Sequence, residues 1–153
     1  MNYKQVTCGS YIIDSNYRIL VCHPTGHPHD WWTIPKGCAD MGETHYDAAI
    51  RELSEETGIN IHDYHYDLYD LGVIDYESKP KTLHGYAFCI NGVIDQELKC
   101  LSTFTQHPIV DGKSVIKLPE IDAFQGLNLK IGIDAIQSEQ RKLFTNFFTL
   151  SIS

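Results

Sequence analysis

Glu52, Glu55 and Glu56 stand three and four residues apart in the stretch THYDAAIRELSEETGI. On a helix that begins near Thr44, this spacing sets the three carboxylates on one face. Tyr46, Ala49, Ile50, Leu53 and Thr57 form a neighbouring, mostly apolar face that can pack on a core. Like charges at such spacings repel by roughly 0.2–0.5 kcal/mol per pair on an exposed helix. Only Arg51, four residues before Glu55, offsets them locally. A purely structural helix would gain by exchanging one acid for Lys. Three carboxylates held together are instead the oxygen donor set that hard divalent cations such as Mg²⁺ or Mn²⁺ take.

The flanks must position that helix. Thr44 followed by Asp47 resembles a capping box and marks the start. Glu43 places negative charge at the positive end of the helix dipole. Gly58 is a natural stop, because glycine enters the left-handed region without a Cβ penalty. Gly37 and Gly42 bracket the preceding loop, and Pro35 and Gly37 imply a tight turn whose backbone groups could meet a metal or a phosphate.

The whole run, Gly37, five residues, Glu43, seven residues, Arg51-Glu52-Leu53, one residue, Glu55-Glu56, one residue, Gly58-Ile59, resembles the complete signature of the Nudix hydrolases, with no position departing from it. The lead-in WTIPKG is similar to the family's approach to this box. The resemblance implies an α/β (α+β) fold, a mixed β-sheet sandwiched between helices, with the box as loop–helix–loop. It implies cleavage of a nucleoside diphosphate linked to another group, with Mg²⁺ or Mn²⁺ as cofactor and more than one ion once substrate is bound. Carried over by position, Glu55 and Glu56 are the principal metal ligands, Glu52 is a third ligand or the general base, and the Gly37 carbonyl completes the coordination. Glu43, Arg51 and Gly58 are mainly structural, with Arg51 beside the catalytic acids. Many members add an acid before the last helix. PEIDAF supplies Glu120 and Asp122, and Glu120 is the choice for an added ligand or base; the alternative is that both are loop acids.

For the substrate, two residues lean one way. Lys36 stands where many relatives have a second glycine, which is similar to the diadenosine polyphosphate branches. Tyr76, beyond the box, is similar to the tyrosine of dinucleoside polyphosphate hydrolases and could stack on an adenine. The plainer readings are a solvated lysine and a sheet-face aromatic. A nucleotide or dinucleotide is thus the expected partner. The alternatives are the 5′-triphosphate end of RNA, a free nucleoside triphosphate, and a Nudix-like binding module without catalysis, which would be expected to have lost acids that this chain keeps.

Composition sets the outer bounds. The chain has 153 residues, 42% hydrophobic and 21% charged, which suits one domain over residues 1–153 with a sizeable core. A net charge of −8 argues against non-specific duplex binding but not against a polyphosphate, since bound cations reverse the local field. The five cysteines are scattered without a C-x-x-C pair and read as reduced thiols. No apolar run reaches a membrane span and MNYKQVTCGS lacks a signal-peptide pattern, so no membrane partner and a cytoplasmic protein are expected. Nothing in the residues speaks to oligomeric state.

Along the chain, residues 6–13 and 17–23 read as a hairpin around Asp14-Ser15-Asn16. HPTGHPHD is a loop with His23, His27 and His29. Imidazoles would suit a softer ion than Mg²⁺, but no zinc-spaced set completes them, and a solvated or substrate-contacting loop accounts for them. Trp31–Ile34 reads as a short strand with one tryptophan in the core. Residues 64–76 and 81–90 read as a second antiparallel pair around Glu77–Pro80. QELKCLSTF reads as a further strand and QHPIVDGKSVIKLP as a surface loop or short hairpin. From Ile133 onward the apolar spacing is helical, so a last helix covers the sheet.

Overall fold

The computed structural model describes residues 5–105 and 117–151. Its strands are β1 (Gln5–Ile13), β2 (Arg18–Pro24), β3 (Lys36–Cys38), β4 (Tyr66–Asp75), β5 (Lys81–Ile90), β6 (Thr103–Thr105), β7 (Lys117–Pro119) and β8 (Ile121–Asn128). Its helices are α1 (His45–Thr57), α2 (Leu129–Ala135) and α3 (Ser138–Ser151), with a single 3₁₀ turn at Ile61–Asp63. One mixed sheet runs β4-β5-β1-β2-β8, with β3 paired to β1 off that path, and β6 and β7 form a separate ribbon. The central β1–β5 pair is parallel, Gln5 opposite Lys81 through Ile13 opposite Cys89. The β4–β5 and β2–β8 pairs are antiparallel.

Strand β1 is buried from Thr7 to Ile13, as a strand covered on both faces must be. Alternate residues serve opposite layers. Cys8 and Ile12, with Tyr86, Phe88 and Ile90 of β5, pack against Ala48, Ala49 and Leu53 of α1. Tyr11 and Ile13, with Leu83 and Ala87, pack against Leu143 and Phe144 of α3. The Tyr11 hydroxyl donates to the Gln140 carbonyl at 2.7 Å, and its ring lies 5.3 Å from that of Phe144. The expected sheet between helices is therefore present.

Strands β1 and β2 touch in register only at Ile13 and Ile19. Beyond that pair they splay, and β3 fills the gap, with Thr7 opposite Cys38 and Gly9 opposite Lys36. This wedge carries the box loop into the middle of the sheet.

Five expectations are corrected. Trp31–Ile34 is not a strand: it makes isolated bridges, Cys22 to Thr33 and Trp32 to Ile136, and regular pairing begins only after Pro35, which has no N–H to give. Neither tryptophan is fully buried; Trp31 is 42% exposed and Trp32 only half-buried against the α3-side core. The single last helix is two, because Ile136 turns extended, buries its side chain and bridges to Trp32. PEIDAF is not a loop leading into a helix; it opens β8, an edge strand whose Asp122, Gln125, Gly126 and Asn128 are exposed and poor in strand propensity. Of QELKCLSTF, only Thr103 and Phe104 belong to a strand. Residues 106–116, most of QHPIVDGKSVIKLP, lie outside the described residues.

Candidate active site

The helix α1 is set by local chemistry. The Thr44 hydroxyl accepts from Asp47 N at 3.1 Å at its start, and Gly58 closes it at φ 81° with its N–H on the Ser54 carbonyl. Its inner face carries Ala48, Ala49 and Leu53, and also Glu52 and Glu56, which are 9% and 3% exposed. These two acids, one turn apart, meet two successive residues of β3. A Glu56 oxygen accepts from Lys36 N at 2.8 Å. Gly37 lies so close that a Cβ there would fall within the Glu52 carboxylate. Glycine at 37 is thus required by the acid it faces.

Arg51 binds the loop to the helix. Its Nε donates to Glu43 at 2.9 Å, its Nη2 to Glu43 at 3.0 Å and to the Cys38 carbonyl at 2.9 Å, and its Nη1 to Glu52 at 2.9 Å and Glu55 at 3.2 Å. The guanidinium holds the Glu43 carboxyl down to about 2, aided by the Asp40 N–H. Glu55 is the outermost acid, with a side chain 43% exposed.

Burial drives the inner acids the other way. It raises Glu52, with Arg51 opposing and Glu55 and Glu120 adding to the rise. It pushes Glu56 up to about 8, with the Lys36 ammonium and N–H opposing and Glu52 and Glu120 adding. Glu120 and Lys36 are thus near enough to act on Glu56 through their charge. Glu120 is brought there by a splint. The carbonyl of Glu55, left free at the end of α1, accepts from Leu101 N at 2.6 Å and Ser102 N at 3.1 Å, and the Ser102 carbonyl accepts from Glu120 N at 3.1 Å. Residues 99–102, expected from sequence as part of a strand, are irregular and instead serve to dock the far acid on the helix. Asp122 is turned elsewhere, 2.6 Å from His23.

The chemistry of this donor set fits a divalent ion: buried carboxylates whose charge the protein leaves under-compensated are stabilised by a cation. Glu52, Glu55 and Glu56, with Glu120 and the Gly37 backbone, are the groups that would hold it. As they stand, Glu52 and Glu55 lean on Arg51, and among the described residues no three ligand side chains converge on one point.

Tyr76 is not in this cluster. It lies on the α3-side core, half-buried, and lines a cavity of about 360 Å³ with Trp31, Trp32, Lys79 and Arg141. The chain from Trp32 to Lys36 links cavity and acids and spans at most roughly 14 Å. Trp31, Lys79 and Arg141 were not singled out from sequence. The Trp31-Trp32 pair was the available signal; Arg141, on the last helix, offered none.

Residues 3–95 match the NUDIX domain. The chain is similar to the asymmetrical bis(5′-nucleosyl)-tetraphosphatase of Caenorhabditis elegans, 34% identical over 74 residues, 47% of this chain and 54% of that protein, so the match spans about half the relative's length. In three dimensions it resembles a C. elegans Ap4A hydrolase binary complex, with a TM-score of 0.68 and 22% identity over 95% of this chain and 98% of that one. It also resembles a MutT protein from Methanosarcina mazei Go1, at 0.62 and 16% over 97% and 96%. Nudix proteins generally use divalent metal ions, in keeping with the donor set above. With the box complete, its Gly37 pressed against Glu52 and most of the chain matched in sequence, this chain belongs to the Nudix family.

Proposed function

We propose that this chain is a pyrophosphohydrolase dependent on Mg²⁺ or Mn²⁺, with more than one ion once substrate is bound, that cleaves a dinucleoside polyphosphate such as diadenosine tetraphosphate. The observation that carries the reaction class is the buried Glu52–Glu56 pair facing Lys36 and Gly37 across β3. A structural helix has no use for two carboxyls whose ionisation burial opposes. When bound, divalent ions neutralise phosphate oxygens and lower the pKa of a water.

The chain's own residues do the rest. Glu55 and Glu56 would hold the ions, and Arg51 keeps Glu43, Glu52 and the Cys38 carbonyl in one arrangement. Glu52, or Glu120 from the docked splint, takes the proton of the attacking water as its oxygen bonds to phosphorus and the anhydride P–O bond breaks. Lys36 meets phosphate charge beside Glu56. Similarity to the C. elegans tetraphosphatase supports a dinucleoside substrate. The aromatic cavity at Tyr76, whose rings offer a base a surface to stack on, supports the same reading.

The test is steady-state kinetics with Mg²⁺ and with Mn²⁺ on diadenosine tetraphosphate, ADP-ribose, a nucleoside triphosphate and a 5′-triphosphate RNA, with products resolved by chromatography. The dinucleotide should have the highest kcat/KM. A preference above tenfold for RNA, ADP-ribose or the triphosphate would overturn the substrate, and no hydrolysis at all would overturn the enzyme.

A further inference from the structure

His23, at the end of β2, has both ring nitrogens on acceptors. Nδ1 is 2.6 Å from an Asp122 oxygen on β8, and Nε2 is 2.9 Å from the Pro28 carbonyl in the loop of residues 25–31. A carbonyl cannot donate, and neither can an ionised carboxylate. A neutral imidazole has one N–H and satisfies only one of them; the imidazolium satisfies both. The Pro28 carbonyl also accepts from Trp31 N at 2.9 Å, and the His23 ring meets the Trp32 ring edge-on at 5.5 Å. One carbonyl therefore ties His23 to both ends of the turn that presents the tryptophans.

We infer that His23 is a positioning residue of the substrate cleft: as an imidazolium it locks the loop of residues 25–31 to β8 and so holds Trp31 and Trp32 at the wall of the cavity that contains Tyr76. This rests on the reading of that cavity as part of the substrate site. The groups facing His23 agree with it. From β8 comes the Asp122 carboxylate, from the loop the backbone of Pro28 and His27, and from the following segment the edge of Trp32. The hydrogen bond to Asp122, then that to Pro28, raises His23 above its ordinary 6.5, against the opposing effect of burial. Loss of the proton leaves the remaining N–H toward the carboxylate and a lone pair on Nε2 against the Pro28 oxygen. That contact is repulsive, so the carbonyl turns and Trp31 moves with it. The lock holds at low pH and opens as pH rises through the raised His23 value.

Both tryptophans of the chain lie in this segment, so their fluorescence reads the lock without substrate. The wild-type protein titrated from pH 5 to 9 should show one emission transition with its midpoint above 6.5. His23→Gln should abolish it. Asp122→Asn, which keeps the shape and removes the charge, should move the midpoint down, and it keeps the test open if His23→Gln does not fold. His27→Gln is the control, since His27 stacks on Trp31 at 5.9 Å; the transition should survive there. With substrate, wild-type KM should rise through the same window by roughly tenfold, the size of one lost charge-assisted hydrogen bond, with kcat little changed. In His23→Gln, KM should be raised at every pH. A flat wild-type emission, a transition that persists in His23→Gln, or one that vanishes only in His27→Gln overturns the inference. If the emission behaves as expected but no substrate is turned over, the lock stands and the assignment of function fails.

Discussion

Replacing Glu56 by Gln should stabilise the metal-free protein while abolishing turnover. Glu56 is 3% exposed, and burial puts its folded value at about 8, against 4.5 when unfolded. A folded value above the unfolded one contributes stability that is fully present below pH 4.5 and is lost as pH rises toward 8. At pH 7 the unfolded carboxyl has been ionised over about 2.5 units while the folded one still holds most of its proton. At ~1.4 kcal/mol per unit this costs roughly 3 kcal/mol. Gln carries the same shape without the charge, and its oxygen can still accept from Lys36 N. For a chain of this length, roughly 2–4 °C per kcal/mol converts the gain to a Tm rise of roughly 6–12 °C. The assay is thermal unfolding of both proteins in EDTA from pH 4 to 8. The curves should coincide near pH 4 and separate above it, with Gln higher. A Gln variant less stable at pH 7, or one offset equally at both ends, would refute the reasoning and make Glu56 a structural acid.

Activity should vanish in EDTA and return with Mg²⁺ or Mn²⁺, and saturating metal at about 100 times its Kd should stabilise the wild-type fold by about 2.7 kcal/mol but Glu56→Gln by less, read as Tm shifts. Gly37→Ala should lose nearly all activity even where it folds, because its Cβ displaces the Glu52 carboxylate; wild-type kcat in this variant would disprove the packing. Tyr76→Ala should raise KM for the dinucleotide by roughly 5- to 150-fold, the span of 1–3 kcal/mol of base stacking, with kcat little changed. Tyr76→Phe should be nearly silent, and equal losses in both variants would mean the hydroxyl, not the ring, matters. Lys36→Ala should lower kcat as well as affinity, as expected where phosphate charge grows in the transition state; an effect on KM alone would assign Lys36 to ground-state binding.

The box helix was legible because everything that defines it is local. Thr44 and Gly58 mark its ends, and the acid spacing lies within two turns. Whether Glu52 and Glu56 point outward or into the protein was not legible. Their burial depends on β3, which enters the sheet only because β1 and β2 splay. The break at Ile136 was hidden for a related reason: α2 and α3 feed the same core, so the apolar rhythm runs on across the turn. The strand beginning at Ile121 lacks the β-branched run that signals a strand, and only its pairing with β2 makes it one. Glu120 could be chosen from sequence, but the splint through Leu101 and Ser102 that carries it toward the helix consists of backbone hydrogen bonds, which side-chain patterns do not encode.

The parallel pairing of β1 with β5 joins strands separated by roughly half the chain, and the whole box lies in the intervening loop. Closing that loop is an entropic cost that must be met before the centre of the sheet exists. Until it closes, the inner face of α1 lacks the part of its packing surface that Tyr86, Phe88 and Ile90 bring from the later strand. The local code for the helix is thus complete long before the structure that makes it useful. A peptide ending ahead of β5 would carry every residue of the motif but neither the β5 face under α1 nor Glu120, whose charge adds to the rise of Glu56. In the kinetics of folding, catalytic competence is therefore a late, cooperative property of the sheet's assembly rather than of the box that spells it.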